Sequence, residues 1–420
     1  MPAQPSPLAV PPPPSPPSSP PSSPSSARAS APAPGPRVPA TTGSAVLLVT
    51  GFVLLSLNTR VVFGQLGPLA PVAGFGTGSL TLLGLLPPLC MGLFAPLAAT
   101  VRRRLGEERG LFWASALLLA GAVLRILGLP GLFIGTVLVG IATAVVNVLI
   151  PVFVRGRFAP RRAGVMTGVY ALSMGAGSAL VAASMVPVWE SSGHSWRTAV
   201  ALAIVPAALA AAGIAPQLRY AGGEVGPEAV RVRVLGGRDK GLAWSLIGYF
   251  GLQTLLFYTT LAWLPAILVE AGVAEATAGA MQSLFILGVA AGGFLAPVLA
   301  AARTDQRPHL LAVLLLCGLG YAGLLMAPAT LPAVWALVLG AGLGGGQAVV
   351  GVLYVKRGRD RDHVAALSTV AQTGGYLIAA TGPVAASVLH TVTGTWAAPL
   401  LVFLGVLLLS GVASLRAGRG

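Results

Sequence analysis

Asn58 and Arg60 stand two residues apart inside an apolar run from Ala45 to about Leu66. Arginine carries a permanent charge on a planar fork of five N–H donors, a shape that fits an oxyanion or another planar acceptor. Asparagine adds one donor group and one acceptor. A charge near the centre of a bilayer costs about 2.5–3.5 kcal/mol on insertion scales, so it either has work to do there or escapes to an interface. No predicted span interior offers an Asp or Glu to neutralise Arg60. Its counter-charge is therefore expected from outside the chain: a small anion or strongly polarised solute, held by charge-assisted hydrogen bonds.

The elements that must carry this arginine are membrane helices. The 420 residues are 55% hydrophobic and only 9% charged, with a mean hydropathy of +0.83. Soluble domains carry roughly 25% charged residues. Apolar runs long enough to cross a bilayer recur along the whole chain, which argues for helices and against a barrel. Twelve spans are predicted. The first six are 45–66, 80–101, 111–128, 131–154, 164–188 and 197–216; the second six are 242–264, 277–301, 309–329, 333–355, 364–390 and 396–415. The predicted organisation is a Pro/Ser-rich tail over 1–44, a six-helix bundle over 45–216, a connector over 217–241 and a second bundle over 242–420. The tail includes PPPPSPPSSPPSSPSS at 11–26, a composition that cannot bury apolar area.

A net charge of +15 could suggest nucleic acid, but the placement of the charges argues otherwise. All Lys and Arg except Arg60, Arg125 and Arg197 fall in the tail, in alternate loops or after the last span. The positive-inside rule then puts both termini and the 217–241 connector in the cytoplasm, in a cell membrane. Arg125 lies three residues from the end of its span and is expected to snorkel to the outer interface. Cys90 and Cys317 both lie in apolar runs and read as small buried hydrophobes. Nothing points to a metal, a cofactor, a nucleic acid or an obligate protein partner; the expected partners are the lipid bilayer and a small-molecule or anionic solute.

The chain also contains a weak copy of itself. GLFAPLAA at 92–99 matches GFLAPVLA at 293–300, and LVGIATAVVN at 138–147 matches VLGAGLGGGQ at 338–347. The pairs link spans two with eight and four with ten, at offsets of 201 and 200. Six plus six spans in parallel repeats is the layout of the major facilitator fold, with its solute site near the midplane between the halves.

Polar side chains sort accordingly. Asn58, Arg60, Asn147, Tyr170, Gln253, Tyr258, Gln347, Gln372 and Tyr376 fall on spans one, four, five, seven, ten and eleven; spans three, six, nine and twelve hold no Asn or Gln. At ~1.5 Å per residue, Arg60 lies ~22 Å from the cytoplasmic end, Tyr258 ~24 Å, Gln253 ~17 Å and Tyr376 ~18 Å. Asn147 and Gln347 come out only ~6–9 Å deep. Depth therefore selects Asn58, Gln253, Tyr258 and Tyr376 as companions of Arg60, with Asn147 and Gln347 as inner wall or interhelix contacts.

Ser56-Leu57-Asn58-Thr59-Arg60 followed by Gly67-Pro68-Leu69 resembles the first helix of the cyanate porter and nitroimidazole transporter relatives within the major facilitator superfamily. Met166-Thr167-Gly168-Val169-Tyr170, Trp196-Arg197, Leu256-Phe257-Tyr258, Ala262-Trp263-Leu264-Pro265 and Asp305-Gln306-Arg307-Pro308 extend the likeness over about 45–415. The resemblance implies alternating-access transport, with Asn58, Arg60, Tyr170 and Tyr258 at family-pattern positions. One departure stands out. The loop after span two, which in the superfamily carries Asp-Arg-X-Gly, here reads Arg103-Arg104-Leu105-Gly106, without the acid. Export of neutral drug-like compounds is the alternative reading. A membrane enzyme or signalling role is more remote, because the spans hold no nucleophile–base pair.

Overall fold

The computed structural model describes residues 42–65, 77–220 and 237–418, all of them helical or connecting. The tail through residue 41, the Gly67-Pro68-Leu69 element and most of the connector lie outside the described residues. The first-half helices are α1 (Thr42–Asn58), α2 (Val61–Gly64), α3 (Thr77–Phe94), α4 (Leu97–Leu124), α5 (Leu129–Arg157), α6 (Ala163–Ser191), α7 (Trp196–Ala201) and α8 (Ile204–Ile214). The second-half helices are α9 (Gly237–Glu270), α10 (Glu275–Ala301), α11 (Arg307–Met326), α12 (Pro332–Arg357), α13 (Arg361–Thr393) and α14 (Ala397–Ala417).

Among the described residues nine segments are long and apolar enough to cross a membrane, and they coincide with predicted spans four to twelve. Spans two and three differ from expectation. A 68° bend between Leu85–Phe94 and Leu97–Leu124 falls inside predicted span two. The helix after the bend runs through Gly106, whose φ of 81° breaks the α geometry where the loop was predicted. Glycine pays no Cβ penalty there. Span one also differs: a single helix was predicted over 45–66, but α1 stops at Asn58 and a turn carries Thr59 and Arg60 before α2.

The helices of the spans without Asn or Gln expose large apolar side chains: Trp113 on α4, Val205 on α8, Leu315 on α11 and Leu408 on α14. Among the described residues, core apolar residues of the second half gather in one large cluster that also takes in Met91, Ala144 and Val152, and those of the first half lie mostly in three smaller ones. Between membrane helices the driving force is close packing and polar contact rather than water exclusion, and small residues permit it. The internal repeat is visible in this packing. A Cβ on Gly140 of α5 would run into Cys90 of α3, and a Cβ on Gly340 of α12 into Phe285 of α10.

The basic loops gather at one end of the bundle and join the two halves there. Arg102 of α4 pairs with Asp362 of α13 at 2.6 Å and with Glu107 at 3.4 Å. The acid missing from 103–106 is thus supplied one residue later in the chain and from across the halves. Arg155 of α5 donates to the carbonyls of Val355 and, at 2.8 Å, of Arg359, while Arg361 donates to the carbonyl of Gly156 at 3.2 Å. Each arginine takes up carbonyls left free at the end of the other half's helix. The snorkelling expected of Arg125 is overturned. Its side chain is completely buried, donates to Gln65 Oε1, and leaves Nε and Nη2 without partners.

Candidate functional site

The break that presents Arg60 is written into the residues before it. Ser56 Oγ bonds the carbonyl of Phe52 at 2.6 Å, and Thr59 Oγ1 bonds that of Leu55 at 3.1 Å. Hydroxyls that bond back four residues loosen and bend a helix. The Thr59 N–H then tightens onto the carbonyl of Ser56 at 3.2 Å, and Thr143 of α5 donates to the Thr59 carbonyl at 3.3 Å. The chain leaves helical geometry with its polar backbone satisfied from α5, which a bilayer interior requires.

Arg60 reaches across to the second half. Its Nη2 donates to the Tyr376 hydroxyl on α13 at 3.3 Å. Its guanidinium carbon lies 5.9 Å from the centre of the Tyr258 ring on α9, within cation–π range. Its Nε is buried without a partner. Among the described residues no carboxylate pairs with it, as the sequence led one to expect. Tyr376 is 3% exposed and its ring meets the edge of Phe250 at 5.1 Å.

A second donor converges on the same phenol. Asn147 Nδ2 of α5 donates to the Tyr376 hydroxyl at 3.4 Å and to Met91 Sδ at 3.4 Å. The Tyr170 hydroxyl of α6 donates to Asn147 Oδ1 at 2.5 Å. Gln372, one turn before Tyr376, donates to the Asn147 carbonyl at 3.1 Å and to Ser368 Oγ at 2.8 Å. The result is a continuous polar group: Arg60, Tyr376, Asn147 and Tyr170, with Gln372 behind and Tyr258 over the guanidinium. Donors predominate, so it favours an acceptor-rich, anionic or strongly polarised guest.

The depth ranking from sequence is corrected in two places. Asn147, ranked by depth as an inner wall or interhelix contact, bonds both Tyr376 and Tyr170 at the centre of the group. Gln253, chosen by depth, is fully buried and donates at 3.3 Å to Ser410 on α14, within the second half. Counting residues fixes height along a helix but not the direction in which a side chain points. Asn58 is 1% exposed, with neither its Oδ1 nor its Nδ2 bonded. Gln347 is half-buried with its Nε2 unpartnered and hydrogen-bonds none of the group. Sequence reasoning left out Met91 and Phe250, which nothing distinguishes from other apolar residues. Gln372, among the polar residues of the spans but not selected by depth, lies four residues before Tyr376, on the same helical face.

The helical arrangement matches proteins already known. The description "Major Facilitator Superfamily" fits residues 46–357 of this chain. The chain belongs to the major facilitator superfamily. Within it, the chain is 35% identical over 380 residues to the 2-nitroimidazole transporter of Escherichia coli (strain K12), covering 89% of this chain and 96% of that protein. It is 28% identical over 369 residues to the cyanate transport protein CynX of the same organism, covering 85% and 94%. In fold it is similar to the solved structure of FucP, a superfamily transporter in the outward conformation. The TM-score is 0.69 at 12% sequence identity, covering 89% of this chain and 98% of that one. As a superfamily member this is a multi-pass membrane protein and a transporter rather than an enzyme.

Proposed function

We propose that this transporter moves a small anionic or strongly polarised solute, such as a cyanate-like anion or a nitro-heterocycle, by alternating access, with Arg60 holding the solute in a central cavity. The observation that carries the reading is a part-buried arginine that bonds one phenol and lies over a second, with no carboxylate partner among the described residues. Cyanate and a nitro group are both compact and rich in acceptor atoms, and an arginine fork can donate to either. The transport named for the two relatives fits the same chemistry. In this reading the solute lies between the halves. Arg60, Asn58, Asn147 and Tyr170 reach it from one side and Tyr258 from the other, with Tyr376 beside Arg60 and Asn147, while Gln347 lines the approach. The end bearing the basic loops faces the cytoplasm, both termini lie there, and the membrane is the cell membrane.

The test is binding and uptake of labelled cyanate and 2-nitroimidazole by the purified protein in proteoliposomes. Replacing Arg60 with Gln removes charge-assisted hydrogen bonds worth roughly 1.5–3 kcal/mol. That corresponds to about a tenfold to hundredfold loss of affinity. Arg60→Lys keeps the charge and loses the fork, so it should fall between the two. Wild-type affinity and flux in Arg60→Gln would refute the reading.

A further inference from the structure

We propose that Tyr376 occupies the solute's position on Arg60 when the site is empty, so that its hydroxyl is an internal competitor of the solute rather than one of its ligands. This rests on the reading of Arg60 as the solute-holding residue.

The Tyr376 oxygen has the environment of a bound guest atom. Two donors from the first half converge on it, Arg60 Nη2 at 3.3 Å and Asn147 Nδ2 at 3.4 Å. It accepts from both and replaces the acceptor oxygen that a solute would bring. Both contacts lie beyond the ordinary 2.7–3.2 Å range for N–H donors to oxygen. They keep the donors from being bare, yet a better acceptor outcompetes them. A solute oxygen or nitrogen carrying formal charge is such an acceptor, because it adds Coulombic attraction to the guanidinium that a neutral phenol lacks.

The displacement has a mechanical consequence. Tyr376 belongs to α13, and both of its donors belong to the first half. Its hydroxyl is thus a tie between the halves in the middle of the bundle, separate from the ties at the basic end. A solute that takes Arg60 and Asn147 releases this tie. Gln372 adds a second tie from α13, to the Asn147 carbonyl at 3.1 Å, which the solute does not contest. Solute binding and loosening of the central contact between the halves become one event. That is the differential interaction a ligand needs if it is to shift a conformational equilibrium.

The two roles predict opposite outcomes for Tyr376→Phe, which keeps the ring against Phe250 and removes only the hydroxyl. A competitor, once removed, leaves the solute bound more tightly. A ligand, once removed, leaves it bound more weakly. The experiment measures equilibrium binding of cyanate and of 2-nitroimidazole to the full-length protein, in wild type, Tyr376→Phe, Arg60→Gln and the double variant, with thermal unfolding confirming that each is folded. Peptide-resolved phenylglyoxal modification of Arg60 is followed in wild type and Tyr376→Phe without solute. The expected result is roughly threefold to tenfold tighter binding in Tyr376→Phe, the equivalent of one ordinary hydrogen bond. Arg60 should also react several-fold faster, and Arg125 at an unchanged rate. In the Arg60→Gln background the Tyr376→Phe gain should vanish. Affinity that is unchanged or lower in Tyr376→Phe overturns the proposal and makes Tyr376 a bystander or a ligand. If the wild type takes neither probe, an Arg60 modification rate unaffected by Tyr376→Phe overturns it. Loss of binding in Arg60→Gln with no gain in Tyr376→Phe refutes the competitor role alone. Undiminished binding in Arg60→Gln refutes the reading of Arg60 on which it rests.

Discussion

Gly164, at the start of α6, marks a place where the two halves touch closely at the basic end. A Cβ placed there would overlap the side chain of Ala301 at the end of α10 and lie 2.8 Å from the Pro297 carbonyl oxygen. Carbon and oxygen rest at about 3.3–3.6 Å even in attractive C–H···O contacts. Gly164→Ala thus requires the helices to separate by several tenths of an ångström or more. Overpacking of this kind costs ~1–3 kcal/mol, offset by up to ~1 kcal/mol of improved helix propensity. The contact lies between halves, so the molecule can relieve it by moving one half away from the other at that end. A remaining strain of ~1–2 kcal/mol shifts the ratio of the two conformations by roughly fivefold to thirtyfold. Gly292→Ala is the matched control. Its Cβ would lie 2.7 Å from the carbonyl carbon of Ala341, but that contact joins α10 to α12 inside the second half. There the strain has no conformational outlet and should appear as lost thermal stability. The assay is double electron–electron resonance between spin labels at Arg161→Cys and Thr304→Cys, both exposed positions at the basic end, with native Cys90 and Cys317 buried. Gly164→Ala should add a longer-distance population that Gly292→Ala lacks. Identical distance distributions in all three proteins would refute the reasoning.

Two further substitutions probe buried polar pairs. Gln65→Leu strips Arg125 of its hydrogen-bond partner and should destabilise the protein by ~1.5–3 kcal/mol, whereas the double variant Gln65→Leu/Arg125→Met should recover most of the loss. A Gln65→Leu single variant as stable as wild type in thermal unfolding would mean that Arg125 reaches the interface after all. Gln253→Leu removes the bond to Ser410 inside the second half and should lower stability by ~1 kcal/mol while leaving affinity for cyanate and 2-nitroimidazole unchanged; a tenfold affinity loss without unfolding would place Gln253 at the solute.

Much of this protein is determined by the sequence alone. A 55% hydrophobic chain with nearly all of its Lys and Arg in the tail, in alternate loops or after the last span has few ways to satisfy its backbone in lipid, so the class and the approximate spans follow from composition and spacing. The family is legible in short runs such as Leu256-Phe257-Tyr258. The isolation of Arg60 from any acid in a span is also legible, because an absence of Asp and Glu needs no geometry to detect. The identity of its neighbours is another matter. On soluble helices a stripe of apolar residues indicates which face points inward. These helices are apolar on nearly every face, so rotation about the axis is left to packing against neighbours. That is why residue counting put Gln253 beside Arg60 and Asn147 away from it, while the packed structure turns Gln253 toward Ser410 and Asn147 toward Tyr376. It is also why Arg125 was expected at the interface: its height was right, but Gln65, beyond the break in the first span, draws it inward. The break itself lies between the two cases. Its back-bonding hydroxyls, Ser56 and Thr59, stand in the sequence, yet Thr143 on a helix 84 residues away completes the turn that brings Arg60 to its phenols.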